Sequence, residues 1–160
     1  MTMIIPAEVK DSTELMNICI RAFDEDKKLY GAIPPNMEKV MWHRQNIKSG
    51  FYYKIIENGS IVGGIKLFNL GKGHMRLGAI YIDPDYQNRH IGSTALEFIE
   101  RKFPDTKKWS LDTPYKSYRN HYFYEKLGYT KIAEEHPEKD KEFVLFIYEK
   151  ICDINHSNKK

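Results

Sequence analysis

Three β-rich segments, residues 51–56, 61–70 and 75–82, follow one another with only Asn58-Gly59 and Gly71-Lys72-Gly73 between them. Asn-Gly tolerates the positive φ angles of a tight hairpin turn, so the expectation is an antiparallel meander. The next stretch cannot continue it. Ile91 to Phe103 reads as a helix stopped by Pro104, followed by a strand at Trp109 to Thr113 and a helix at Ser117 to Leu127 with Gly128 at its C′ position. Tyr129 to Glu134 and Phe143 to Ile151 are the last two strands. Upstream, Ile4 and Ile5 suggest a first strand, and Asp11 with Glu14 three residues on reads as a capping box. Leu15, Ile18, Cys19 and Ala22 then form one apolar stripe of a helix. Residues 24–36, with Asp24, Glu25, Asp26 and the Pro34-Pro35 breaker, read as a loop, and a second helix is expected over about Met37 to Ile47. The order β-α-α-β-β-β-α-β-α-β-β fits neither a doubly wound parallel sheet nor a sandwich. It requires a mixed α/β domain built on a mixed sheet.

A chain of 160 residues fits one domain, assigned to 1–152, with 153–160 as a polar, frayed tail. Hydrophobic residues at 41% and charged residues at 29% are those of a globular protein rather than a disordered one. The net charge of +3 is small and scattered, which argues against nucleic-acid or membrane binding and mildly favours an anionic ligand. Cys19 and Cys152 form no C-x-x-C, so neither a disulfide framework nor a metal site is indicated, and a cytoplasmic location is expected. The run Phe143 to Tyr148 is too short to span a bilayer.

The stretch that carries chemistry is Leu77-Gly78-Ala79-Ile80-Tyr81-Ile82-Asp83-Pro84 followed by Gln87-Asn88-Arg89-His90-Ile91-Gly92-Ser93-Thr94. A strand ended by Pro hands over to a helix whose first N–H groups lack intrahelical acceptors, and the helix dipole favours negative charge there. A pyrophosphate fits such a place, with Gly92 permitting close approach and Gln87 and Arg89 adding donors. A single glycine at a helix start is more often only a turn residue. The other phosphate motifs, G-x-x-x-x-G-K-[ST] and an early G-x-G-x-x-G, are missing from the sequence.

Residues 87–92 resemble the acetyl-CoA loop of the GNAT N-acetyltransferases, Q/R-x-x-G-x-G/A, with Gln87 and Gly92 matching and His90 standing where the first Gly is usual. Tyr124-Glu125-Lys126-Leu127-Gly128-Tyr129 is similar to that superfamily's closing signature Y-E-K-L-G-F. The resemblance covers about residues 3–151 and implies a largely antiparallel sheet of about seven strands flanked by about four helices. It also implies acetyl-CoA as cosubstrate, wedged between the strands Met75 to Ile82 and Trp109 to Thr113. Main chain at Ile80, Tyr81 and Ile82 would hold its acetyl end, and Gln87, Asn88, Arg89, His90, Ile91, Gly92, Ser93 and Thr94 its pyrophosphate. Ser117 replaces the usual Asn, while Asn120 on the same helix could reach the pantetheine.

Acetyl transfer to an amine needs a base and an acid for the departing thiolate. The resemblance points to Tyr124 as the acid, against the alternative that its ring only packs. Asp112, at the end of a strand, is the candidate base, with a turn-capping carboxylate as its equal alternative. His43 and His121 are weaker candidates. The expected reaction is direct attack by a primary amine of a small molecule or peptide, cationic if Asp24, Glu25 and Asp26 face it. A non-catalytic acyl-CoA sensor and, last, a nucleic-acid-binding domain around Lys107-Lys108 and Tyr115 to Tyr124 are the other readings, and a homodimer stays open.

Overall fold

The computed structural model describes residues 1–138 and 142–152; the tail expected at 153–160 lies outside the described residues. Seven strands form one sheet in the order β1-β2-β3-β4-β5-β7-β6. They are β1 (Thr2–Pro6), β2 (Tyr52–Glu57), β3 (Ser60–Gly71), β4 (His74–Ile82), β5 (Lys108–Pro114), β6 (Thr130–Glu135) and β7 (Leu145–Ile151). The helices are α1 (Ser12–Ala22), α2 (Asp24–Tyr30), α3 (Val40–Lys48), α4 (Ile91–Lys102) and α5 (Tyr118–Lys126), one more than the four expected. Of the recorded ladders only β4 with β5 is parallel, and it pairs His74, Met75 and Arg76 with Lys108, Trp109 and Ser110. The chain divides into two compact units, residues 1–67 with 79–102, and residues 68–78 with those from 103 onward.

In the first unit the apolar stripe of α1 does what its spacing requires. Leu15, Ile18 and Cys19 are buried with Met37, Tyr52, Ala79 and Tyr81. The capping box sits one turn earlier than the sequence suggests. Glu8 and Asp11 cap each other around a 3₁₀ turn at Val9–Asp11, and Asp11 makes no side-chain cap to α1. The competing partner is Lys54 of β2, whose ammonium donates to the Asp11 carboxylate at 2.8 Å. A buried cation needs a counter-charge more than a helix end needs an exposed cap.

The expected loop at 24–36 is also corrected, because residues 24–30 form α2. Asp24, Glu25 and Asp26 occupy its first turn, where the helix dipole stabilises negative charge, and Lys28 pairs with Asp24 at 3.0 Å. Gly31 ends it at φ +80°, so the Pro34-Pro35 breaker acts after the helix has already stopped.

Gly63 and Gly64 on β3 set the spacing to β4. A Cβ at Gly63 would lie 2.3 Å from the Tyr81 carbonyl oxygen, and one at Gly64 would lie 2.3 Å from the Tyr81 hydroxyl. β4 alternates strictly in burial, with Met75, Leu77, Ala79 and Tyr81 inward.

In the second unit, α5 closes as a Schellman motif. The N–H of Tyr129 donates to the Tyr124 carbonyl at 3.0 Å, that of Gly128 donates to the Glu125 carbonyl at 3.1 Å, and Gly128 has φ +97°. The rings of Tyr124 and Tyr129 meet with centroids 5.8 Å apart, the apolar contact that accompanies this motif. The Tyr-Glu-Lys-Leu-Gly-Tyr spelling therefore has a structural cause as well as a family resemblance.

Gly63→Ala tests the close approach of β3 and β4. Its methyl meets main chain rather than a movable side-chain tip, so stability should fall by at least the usual overpacking cost, about 1–3 kcal/mol, in thermal or urea unfolding. An unchanged midpoint would show that the strands do not lie this close.

Candidate active site

The loop between β4 and α4 belongs to the first unit, and Asp83 organises it. Its N–H donates to the Val62 carbonyl at 2.7 Å, and its carboxylate accepts from the Asp85 N–H at 3.0 Å and from Arg21 of α1 at 2.7 Å. Burial acts to raise the Asp83 pKa, but the Asp85 hydrogen bond and the Arg21 charge outweigh it and hold the carboxyl below its ordinary value. Asn88 and His90 adopt φ +63° and +61°. At the position where glycine is usual, His90 therefore takes the left-handed conformation a glycine would take, one that His and Asn tolerate better than most residues. That turn leads directly into α4.

The first turn of α4 looks after its own side chains. The His90 carbonyl accepts from the Thr94 N–H at 3.1 Å, from the Thr94 hydroxyl at 2.8 Å and from the Ser93 hydroxyl at 3.0 Å. What Ile91, Gly92 and Ser93 have to offer a ligand is main-chain N–H, since the Ile91 side chain is buried and the Ser93 hydroxyl is committed. Gln87 donates its side-chain amide to the Ile82 carbonyl at 3.2 Å, tying the loop to the end of β4, and the Arg89 guanidinium lies 5.1 Å from the centre of the Tyr86 ring. Ile80 and Ile82 are half-buried, with Tyr81 buried between them.

The candidate proton-transfer residues lie in the second unit. Asp112 is half-buried on β5, two residues past the last β4–β5 pair, and Arg76 reaches it at 2.7 Å. Burial raises the Asp112 pKa, the Arg76 charge opposes this and Glu135 adds to it, so the net shift is upward. Tyr124 is buried, and its pKa is pushed above the ordinary value, first by burial and then by the Asp112 charge. Its phenol thus keeps its proton through the neutral range, as an acid must. Asn120 donates to the Thr113 hydroxyl at 3.3 Å, and the Ser117 N–H donates to the Pro114 carbonyl at 3.0 Å.

His43 leaves the list of candidate bases, since it is fully buried with both ring nitrogens hydrogen-bonded. His121 donates its Nε2–H to the Pro114 carbonyl at 2.9 Å and stacks on Phe146. Arg76 is the residue that reading the sequence missed. Strand parity could have found it, because it alternates with the apolar Met75 and Leu77 and so faces the same side as its register partner Ser110 and as Asp112. Among the described residues no group of three or more His, Cys, Asp or Glu could hold a metal ion, and no helix is long and apolar enough to cross a membrane.

Residues 14–129 match the Acetyltransferase (GNAT) family, and the chain belongs to that family. Over 80 residues it is 36% identical to the uncharacterized protein YrkN of Bacillus subtilis (strain 168), a match covering 49% of this chain and 43% of YrkN. The fold is similar to that of the PaiA N-acetyltransferase from Thermoplasma acidophilum in complex with coenzyme A, with TM-score 0.78, 16% identity and 95% and 99% of the two chains covered. It is also similar to the ribosomal-protein-S18-alanine N-acetyltransferase from Escherichia coli, with TM-score 0.75, 19% identity and 94% of each chain covered.

Arg76→Gln should raise the Asp112 pKa further, because the charge that opposes burial is lost. Carboxyl ¹³C NMR titration reads this directly. A carboxyl whose folded pKa exceeds its unfolded value makes the native state bind more protons between the two, so its contribution to stability falls as pH rises through that window. The window should widen upward in the variant; an unmoved or lowered midpoint would show that Arg76 does not neutralise Asp112.

Proposed function

We propose that this chain transfers the acetyl group of acetyl-CoA to a primary amine of a small molecule or peptide, by direct attack in a ternary complex. The observation that carries the reading is the start of α4. Asn88 and His90 turn the chain through left-handed conformations into a helix whose first amides are available to an anion, in the loop where family members hold acetyl-CoA. Membership of an acetyltransferase family, and a similar fold in a protein solved with coenzyme A, support the cosubstrate.

In this reading the main-chain N–H groups of Ile91, Gly92 and Ser93 hold the pyrophosphate, and Ile80 to Ile82 face the pantetheine and acetyl end. Gln87 acts by bracing the loop against Ile82. Tyr124 protonates the departing thiolate, its buried phenol keeping its proton at neutral pH until the thiolate forms. Asp112, directly or through water, takes the ammonium proton; burial makes it a stronger base than a free carboxylate, and Arg76 keeps it ionised. The acids at the start of α2 favour a cationic acceptor, although Lys28 neutralises Asp24 and the helix dipole accounts for part of the cluster.

Acetyl-CoA should raise the melting temperature by mass action, and Gly92→Glu should abolish the rise by placing a carboxylate where the pyrophosphate approaches. An unmoved melting curve for the wild type would rule out the cosubstrate. A thiol-release screen over polyamines, amino acids, aminoglycosides and peptide N-termini then identifies the acceptor, and tight binding without turnover on any amine would favour a sensor instead.

Tyr124→Phe keeps the ring contacts with Phe123, Tyr129 and Tyr148 but removes the proton donor. Its kcat should fall by roughly 10²–10⁴-fold with acetyl-CoA binding retained. Asp112→Asn should slow turnover chiefly at low pH, where the amine arrives protonated. Unaltered kcat in the Phe variant would leave Tyr124 a packing residue.

A further inference from the structure

Three hydrogen bonds run end to end through the interior of the first unit. His43 Nε2 lies 2.8 Å from the Met37 carbonyl, His43 Nδ1 lies 2.7 Å from the Tyr52 hydroxyl, and the Tyr52 and Tyr81 hydroxyls are 2.5 Å apart. All three side chains are buried, with 0%, 2% and 3% of their surface exposed. Chemistry fixes the direction of the chain. A carbonyl only accepts, so His43 Nε2 donates to Met37, and burial holds the imidazole neutral, which leaves Nδ1 as an acceptor. Tyr52 must then donate to His43, and the Tyr52 oxygen is left to accept from Tyr81.

The far end of this chain is set in β4. The Tyr81 hydroxyl rests where a Gly64 side chain would be, and its carbonyl rests where a Gly63 side chain would be, so the ring and the main chain of residue 81 cannot shift independently. Ile80 and Ile82, on either side, belong to the stretch read above as facing the acetyl end. We propose that His43 and Tyr52 are positioning residues for acetyl transfer, holding Tyr81 by its hydroxyl and thereby fixing the main chain of Ile80 to Ile82 against the thioester. The inference rests on the acetyl-CoA reading and assigns to a buried polar chain a task beyond stability.

The test reads the thioester itself. Infrared difference spectra of [1-¹³C]acetyl-CoA bound to the full chain should show a carbonyl stretch displaced from its free value in the wild type. Tyr81→Phe and Tyr52→Phe should return it at least halfway toward the free value. Their kcat should fall about tenfold, a fraction of the 10²–10³ lost when an oxyanion donor is removed outright, while KM for acetyl-CoA changes less than about threefold. His43→Gln, which keeps an acceptor and a donor, should retain more of the displacement than His43→Leu. If Tyr52→Phe fails to fold, Tyr81→Phe carries the test, since it keeps the ring on Gly64. Folded variants with the wild-type carbonyl frequency would overturn the positioning role and leave the acetyl-CoA reading standing, as would wild-type binding with an undisplaced carbonyl. A wild type that does not bind acetyl-CoA overturns both.

Discussion

β4 can lie as close to β3 as it does because residues 63 and 64 carry no side chains. The rest of the first unit follows from that contact. With the strands at this distance, Tyr81 fits its hydroxyl against Tyr52, and the Asp83 N–H reaches the Val62 carbonyl at 2.7 Å. Asp83 then has both carboxylate oxygens engaged, one by the Asp85 N–H and one by Arg21. The strand end is thus fixed by main chain on one side and by a charge from α1 on the other, and the left-handed turn through Asn88 and His90 starts from a defined place. Preorganisation of this kind is what a main-chain anion site needs, since amides that had to be gathered on binding would lose much of their advantage.

In the second unit the candidate proton-transfer residues are set by opposed electrostatic pulls. Burial and Glu135 push the Asp112 carboxyl toward its neutral form, and Arg76 pulls it back toward the charged one. The Asp112 charge in turn helps Tyr124 keep its proton. Under the proposed reaction Asp112 would be the group that accepts a proton and Tyr124 the one that gives it. Removing Arg76 would disturb both.

Much of this was legible in the chain. β-Rich runs between turn residues, the stripe of α1 and the helix stops located all seven strands and four of the five helices to within a few residues, and the Gly128 stop could be read from its type and place. The misses have physical causes. Asp24, Glu25 and Asp26 look like a solvated loop in one dimension, yet those charges stabilise a helix start that the sequence pattern, lacking any buried face over residues 24–30, does not announce. The capping box went to Glu8 and Asp11 because Lys54 of β2, 43 residues away, needed the Asp11 carboxylate. At the candidate site the turn from β4 into α4 was legible because it is local. Arg76 with Asp112, and His43 with Tyr52 and Tyr81, were not, because each pairing depends on register between distant segments.

The central claim is that the main chain opening α4 holds the cosubstrate. An amide chemical-shift map of the full chain titrated with acetyl-CoA tests it most directly. Saturable shifts should be largest at the N–H groups of residues 80–82 and 90–94, and coenzyme A without the acetyl group should reproduce those at 90–94. Shifts centred elsewhere, or none at millimolar acetyl-CoA, would contradict the account.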